Sequence, residues 1–278
     1  APQRPQCHTG SRRTRPTDTT DDASGGRDRT RPACDPWHYG RRGMPELLVP
    51  QGTFTLERHP PTSDATLRAW DAADELVLQF LAADQGALDG TTVILDDAFG
   101  ALSAALHATR PTLVTDSHLA VLATRRNLER NAVAPDAVSV VTGAEPLPAR
   151  IDVLVFKVPK VLARLEDQLR RLRPHLHPGT VVVGAGMTRH IHTSTLEVVG
   201  RVVGPVTTSL ARRKARLVHA TVAPAPDLGP WPWPASFVVP GDDVTAVNAA
   251  GVFSATSLDI GTRVLLDHLP AGLGAVRI

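Results

Sequence analysis

Val93-Ile94-Leu95-Asp96-Asp97-Ala98-Phe99-Gly100-Ala101-Leu102-Ser103-Ala104-Ala105 joins three apolar residues, an acidic turn and an alanine-rich run. It reads as a β-strand entering an α-helix. In a doubly wound α/β domain that junction is where a nucleotide-like ligand meets a helix N-terminus. A loop that cradles such a ligand needs several glycines, so that the backbone turns tightly and approaches without a Cβ in the way. This turn has one, Gly100. The junction has the architecture of a cofactor loop without its cradle; its plain alternative is a buried βα turn that binds nothing.

Strand and helix patterns alternate on both sides of it. Gly52 to Arg58 alternates like a half-exposed strand, and Asp71 to Leu81 reads as a helix with Leu76, Phe80 and Leu81 on its apolar side. Thr112 to Val114 is a short strand ending at Asp116, an acid placed either to meet a ribose hydroxyl or to cap the helix His118 to Asn131. Val138 to Val141 and Ile151 to Phe156 follow as strands, the latter apolar from Val153 as a strand buried on both faces would be. Val161 to Arg173 sets Leu162, Leu165, Leu169 and Leu172 three and four residues apart, with Arg164, Arg170, Arg171 and Arg173 on the other face. Thr180 to Val183 is a further strand, Thr193 to Val203 a helix, and Val206 to Val222 two strands around the basic turn Arg212-Arg213-Lys214. This cadence predicts an α/β, Rossmann-like fold: a mostly parallel sheet with helices on both faces. Pro224 to Pro234 reads as a linker carrying Trp231 and Trp233, followed by a strand at Phe237 to Val239, an amphipathic helix at Leu258 to Leu269 and a strand opening at Ala275.

Residues 1–43 show no period and little to bury, so they are expected to be a disordered tail, or an upstream extension if translation starts at Met44. Asp18, Asp21, Asp22 and Asp28 dilute its arginines and weaken a reading as a basic nucleic-acid arm. A formal charge of +2 means that any basic surface must come from clustering rather than from the total. Both cysteines, Cys7 and Cys34, fall in the tail, which excludes a cysteine nucleophile or thiolate metal site from the patterned part and fits a reducing compartment. No apolar run is long enough to span a bilayer and no signal-peptide segment is seen, so the expected location is the cytoplasm.

His190 and His192 are close together, but no carboxylate or thiol stands at a spacing that completes a zinc site, so no metal is expected. There is no G-x-S-x-G elbow, no P-loop lysine and no G-x-G-x-x-G. The remaining signal is basic: Arg189, His190 and His192, then Arg212, Arg213, Lys214 and Arg216. Both clusters flank strands in the far half of the sheet, where they can share a face and neutralise phosphates; a solvated charged face is the alternative.

Trp70-Asp71-Ala72-Ala73-Asp74-Glu75, Asp97-Ala98-Phe99-Gly100-Ala101-Leu102-Ser103, Lys157-Val158-Pro159-Lys160 and Ile191-His192-Thr193-Ser194-Thr195-Leu196-Glu197 resemble the ribosomal RNA large subunit methyltransferase G family. So do the run from Gly204 to Leu217 and Val252-Phe253-Ser254 with Leu258-Asp259-Ile260-Gly261-Thr262-Arg263. The resemblance runs from about Glu46 to Ile278. That family is similar to ribosomal RNA small subunit methyltransferase C, with two Rossmann-like domains in tandem. The first has lost its cofactor motifs; the second binds S-adenosylmethionine and methylates a guanine exocyclic amine. Where an active domain holds the target amine with Asn-Pro-Pro-aromatic, this chain has Lys157-Val158-Pro159-Lys160, and a lysine cannot accept the amine's hydrogen bonds.

The resemblance implies a degenerate methyltransferase domain at 44–222 and, at 223–278, a linker and lead-in to a catalytic domain missing from this chain. Catalytic residues are expected to be absent here, and S-adenosylmethionine is expected to bind only in a full-length enzyme, beside Phe253, Ser254, Asp259, Gly261 and Thr262. The segment from Gly251 onward is expected to be loosely held. Arg189, His192, Arg212, Arg213, Lys214 and Arg216 are the expected phosphate contacts to ribosomal RNA. The other expected partner is the chain's own catalytic domain, with the protein a monomer. Two other readings stand beside this: a purely structural domain that touches no RNA, and an active methyltransferase with an unconventional loop.

Overall fold

The computed structural model describes residues 45–64, 66–83, 88–142, 145–224, 227–241 and 244–269. The expected tail at 1–43 and the strand opening at Ala275 lie outside the described residues. The stretch at 93–105 forms β3 (Thr92–Leu95) and α2 (Ala101–Ala105). Around it run β1 (Glu46–Val49), β2 (Gly52–Thr55), α1 (Ala72–Ala83), β4 (Thr112–Val114), α3 (His118–Arg130) and β5 (Ser139–Val141). Beyond lie β6 (Ile151–Lys157), α4 (Leu162–Leu172), β7 (Leu176–Met187), α5 (Thr193–Val202), β8 (Val206–Thr208) and β9 (Ala215–Ala220). A separate hairpin of β10 (Ala235–Val238) and β11 (Thr245–Asn248) and the helix α6 (Ile260–Asp267) complete the described chain.

Seven strands form one sheet in the order β5-β4-β3-β6-β7-β9-β8. The first five are parallel, while β9 runs antiparallel to both β7 and β8. The fold is therefore Rossmann-like α/β with an antiparallel edge. Strand alternation sorts the core into two layers. Ile94, Val153 and Val155 pack with α1, α2 and the β1–β2 hairpin, whereas Val93, Leu95, Leu154 and Phe156 pack with α4 and α5. Leu165, Leu169 and Leu172 are buried as their spacing predicts, with Leu162 half-buried.

The order reverses between β3 and β6, so the crevice for a ligand lies at the C-terminal ends of these strands. Residues 58–62 and 67–70, between β2 and α1, line the cavities at this edge. Downstream of the sheet the indole Nε1 of Trp231 donates to Asp167 Oδ1 at 2.8 Å, and the Arg170 guanidinium lies 4.3 Å over the Trp231 ring. The expected linker is thus held against α4.

Candidate functional site

At the end of β3 the Asp97 carboxylate turns back onto α2. It accepts hydrogen bonds from the backbone N–H groups of Gly100 (3.0 Å), Ala101 (3.1 Å) and Ser103 (2.8 Å), and from the Ser103 hydroxyl at 2.9 Å. These are the donors that an anionic ligand would otherwise meet. Burial raises the Asp97 pKa, against the lowering effect of the Ser103 bonds. The single glycine of the turn has a packing role. Gly100 sits at φ +78°, and a Cβ there would lie 2.6 Å from the Thr124 Cα, so glycine lets α2 cross close to α3. Asp97→Asn keeps one accepting oxygen and loses the charge, and should lower stability by about 1–2 kcal/mol in urea denaturation.

The end of β6 is filled in the same manner. Lys157 Nζ donates to Asp74 Oδ1 at 2.6 Å and to Asp71 Oδ1 at 2.9 Å, both on the first turn of α1 or just before it. The Asp74 side chain is only 8% exposed and Lys157 19%. Burial, with the nearby Asp71 and Asp97 charges, pushes the Asp74 carboxyl up to about 6 despite Lys157. Burial would raise Asp71 as well, but Lys157 and the backbone N–H groups of Ala73 and Asp74 outweigh it and hold that carboxyl below the usual value. Burial works against the Lys157 ammonium, yet the two carboxylates raise its pKa. Lys157 is therefore committed to an internal ion cluster.

Two cavities open on this edge. The larger, of about 690 Å³, lies between the 58–67 segment, the β3–α2 turn and the start of α3. Its inner end is Asp96, which accepts from Arg164 at 2.7 Å and Gln168 at 3.0 Å. The smaller, of about 130 Å³, lies over Asp97 and Lys157 and shares Arg58, Ala98 and Phe99 with the first.

The basic residues fall in two groups. Met187 pairs with Ala215 across β7 and β9, and the Thr188 N–H donates to the Lys214 carbonyl at 2.8 Å, so Arg189 and the Arg212-Arg213-Lys214 turn share one edge. All four are exposed. Arg213, however, is ion-paired with Glu75 at 2.5 Å. The turn is a two-residue hairpin closed by paired bonds between Arg212 and Ala215, with Arg213 (φ 48°) and Lys214 (φ 63°) both left-handed. Arg216 points to the α5 face beside Val218, with its Nε buried and without a partner, and His192 is the exposed N-cap residue of α5.

Among the residues expected to lie beside a cofactor in a full-length enzyme, Asp259 caps α6, accepting from the Thr262 N–H at 3.2 Å and its hydroxyl at 2.5 Å. Gly261 stands in that first turn, the Ser254 hydroxyl donates to the Ser257 carbonyl, and Phe253 is 84% exposed. None of the five lines either cavity. A Cβ at Gly251 would lie 2.9 Å from Arg164 Cβ, so the segment expected to be loose touches α4 at its start. Among the described residues no group of three or more His, Cys, Asp or Glu could hold a metal, and no helix is long and apolar enough to cross a membrane.

The sequence reading did not join Lys157 to Asp71 and Asp74, which lie 86 and 83 residues away. The available signal was two acids three residues apart at a helix start with alanines between them.

The Streptomyces griseus ribosomal RNA large subunit methyltransferase G is 49% identical over 244 residues, covering 84% of this chain and 63% of that protein. Its Streptomyces coelicolor counterpart is 52% identical over 231 residues, covering 81% and 61%. The chain thus spans about three-fifths of the length of these relatives. Among solved structures, a T. thermophilus 16S rRNA N2 methyltransferase in complex with AdoMet and guanosine superposes with a TM-score of 0.53, at 17% identity, over 81% of this chain and 57% of that one, a likeness of fold. The RLMG N-terminal domain family model matches residues 44–224, the whole seven-stranded sheet with its helices, and the chain belongs to that family.

Proposed function

We propose that residues 44–222 form the non-catalytic, RNA-positioning part of an S-adenosylmethionine-dependent ribosomal RNA (guanine-N2)-methyltransferase, acting in the cytoplasm as a monomer. Methyl transfer and cofactor binding belong to a second domain, for which 223–278 is linker and lead-in. In that domain Phe253, Ser254, Asp259, Gly261 and Thr262 lie beside the cofactor. The names of the relatives support ribosomal RNA as substrate, and the solved neighbour's name supports an N2 target.

The observation that carries the reading is the shared edge: β7 and β9 bring Arg189, Arg212, Arg213 and Lys214 together beside Asp97 and Lys157, whose side chains are held by internal hydrogen bonds and ion pairs. Exposed cations on one edge bind phosphates and set register without reading sequence. The double variant Arg212→Ala/Lys214→Ala should weaken binding of a structured ribosomal RNA fragment and reduce the slope of log K against log salt by about 1.5. Unchanged affinity and slope would leave a purely structural domain. Titration of the chain with S-adenosylmethionine in a calorimeter should give no heat; saturable binding would instead favour an active domain.

A further inference from the structure

We propose that the larger cavity docks one unpaired nucleotide of the RNA, so that the contact surface runs from the β8–β9 turn across to the 58–68 segment. This rests on the RNA-positioning reading above. The first observation is how the cations are partnered. Arg110, Arg130, Arg150, Arg170 and Arg201 each pair with a carboxylate, and Arg171 and Arg173 at the end of α4 are held by backbone carbonyls. Arg58, Arg68 and Arg126 enter none of the ion pairs among the described residues. The Arg58 guanidinium lies over the Phe99 ring at 4.3 Å and donates to the Arg68 carbonyl at 3.2 Å, Arg68 lies over Trp70 at 5.6 Å, and Arg126 contacts His59. Arg58 is half-buried and Arg68 exposed, and guanidinium groups seated on aromatic rings at a surface are stacking platforms for an unstacked base.

The second observation is the cavity itself. At about 690 Å³ it has room for a nucleoside, and Leu67, Phe99 and Leu119 give it apolar walls. Its inner carboxylate, Asp96, is already held by Arg164 and Gln168, and the α2 N–H groups are taken by Asp97. The inner carboxylate and the apolar walls thus suit a neutral base better than an anion, while Arg58 in the lining and Arg126, beside the lining His59, suit the phosphates on either side.

The third is continuity with the basic turn. Arg58 lines both cavities, the second of which includes Trp70. The Trp70 indole donates to Glu75, which holds Arg213 of the turn. One edge of the sheet therefore links the docking cavity to the phosphate contacts.

The test uses the 278-residue chain, a single-stranded oligoribonucleotide carrying 2-aminopurine, and a blunt duplex of equal length. Wild type should bind both RNAs and quench the 2-aminopurine. Arg58→Ala and Phe99→Leu, each checked by thermal melting, should lose most of the quenching and bind the single strand about 5-fold more weakly, with duplex binding unchanged. Phe99→Leu keeps an apolar side chain in place should Arg58→Ala loosen its segment. Adenosine monophosphate at millimolar concentration should neither raise the melting temperature nor compete. Binding without quenching, or variants indistinguishable from wild type, overturns the docking site. Binding of adenosine monophosphate without quenching of the oligonucleotide makes the cavity a site for free nucleotides and overturns it too. Failure of wild type to bind either RNA overturns the RNA-positioning reading instead.

Discussion

Lys157→Met should lower the stability of the chain by about 3 kcal/mol at pH 7.5 and by clearly less at pH 5.5, because removing one partner strands buried charge. With Lys157 gone, Asp74 keeps its burial and the repulsion of Asp71 and Asp97 and loses its main attraction. Its pKa, already about 6, must rise further. A folded pKa above the unfolded value means that the folded state binds the extra proton. The stability linked to Asp74 is therefore present below pH 3.8 and lost as pH rises through about 6. Asp71 has the opposite sign: held below 3.8 by Lys157, its contribution is present above that value and lost as pH falls. At pH 5.5 the variant's Asp74 is protonated and the stranded charge is mostly gone. Urea denaturation at the two pH values reads the difference; an equal loss at both would mean that Lys157 contributes by packing alone.

Gly100→Ala should cost about 3 kcal/mol, combining a left-handed backbone penalty of about 1 with the overpacking of a tight helix contact. The obstructing atom is the Thr124 Cα, so relief requires α2 and α3 to separate. Gly229→Ala is the internal control: its φ is +64° but nothing lies within 4 Å of the added Cβ. It should show only the conformational part, about 1 kcal/mol. Equal losses for the two variants in a chemical melt would remove the packing explanation of the glycine.

Most of the sheet was legible because its strands are short apolar runs separated by periodic helices, but β7 spans Leu176–Met187, well beyond the expected Thr180 to Val183. Thr112–Val114 was predicted to the residue, and Leu162–Leu172 lies one residue inside the predicted helix at each end. The β1–β2 hairpin was only half legible: β1 is four residues long and turns through Pro50 and Gln51 without an Asn-Gly signal. β11 is similarly short, and none of its residues is buried. The charged face of α4 could not be interpreted locally. Arg164 pairs with Asp96, Arg170 with Glu166, Arg171 reaches the Glu145 carbonyl, and Arg173 reaches the carbonyls of Val202 and Ala223. Those partners are set by the fold, as are the acids that hold Lys157. At the candidate site, spacing gave the two basic clusters and strand order gave their common edge, but the hold of Glu75 on Arg213 depends on α1 packing beside β9.

A two-residue hairpin with both central residues left-handed favours Asn-Gly, and this chain has Arg213-Lys214 there. A sequence selected for folding alone would not place long cationic side chains at those positions, since each carries a left-handed penalty of about 1 kcal/mol or more. The tip of this hairpin is thus where stability and charge display trade off against each other. Engineering the chain for heat resistance would start by relaxing this turn, and would remove two exposed positive charges, one of them paired with Glu75, in doing so.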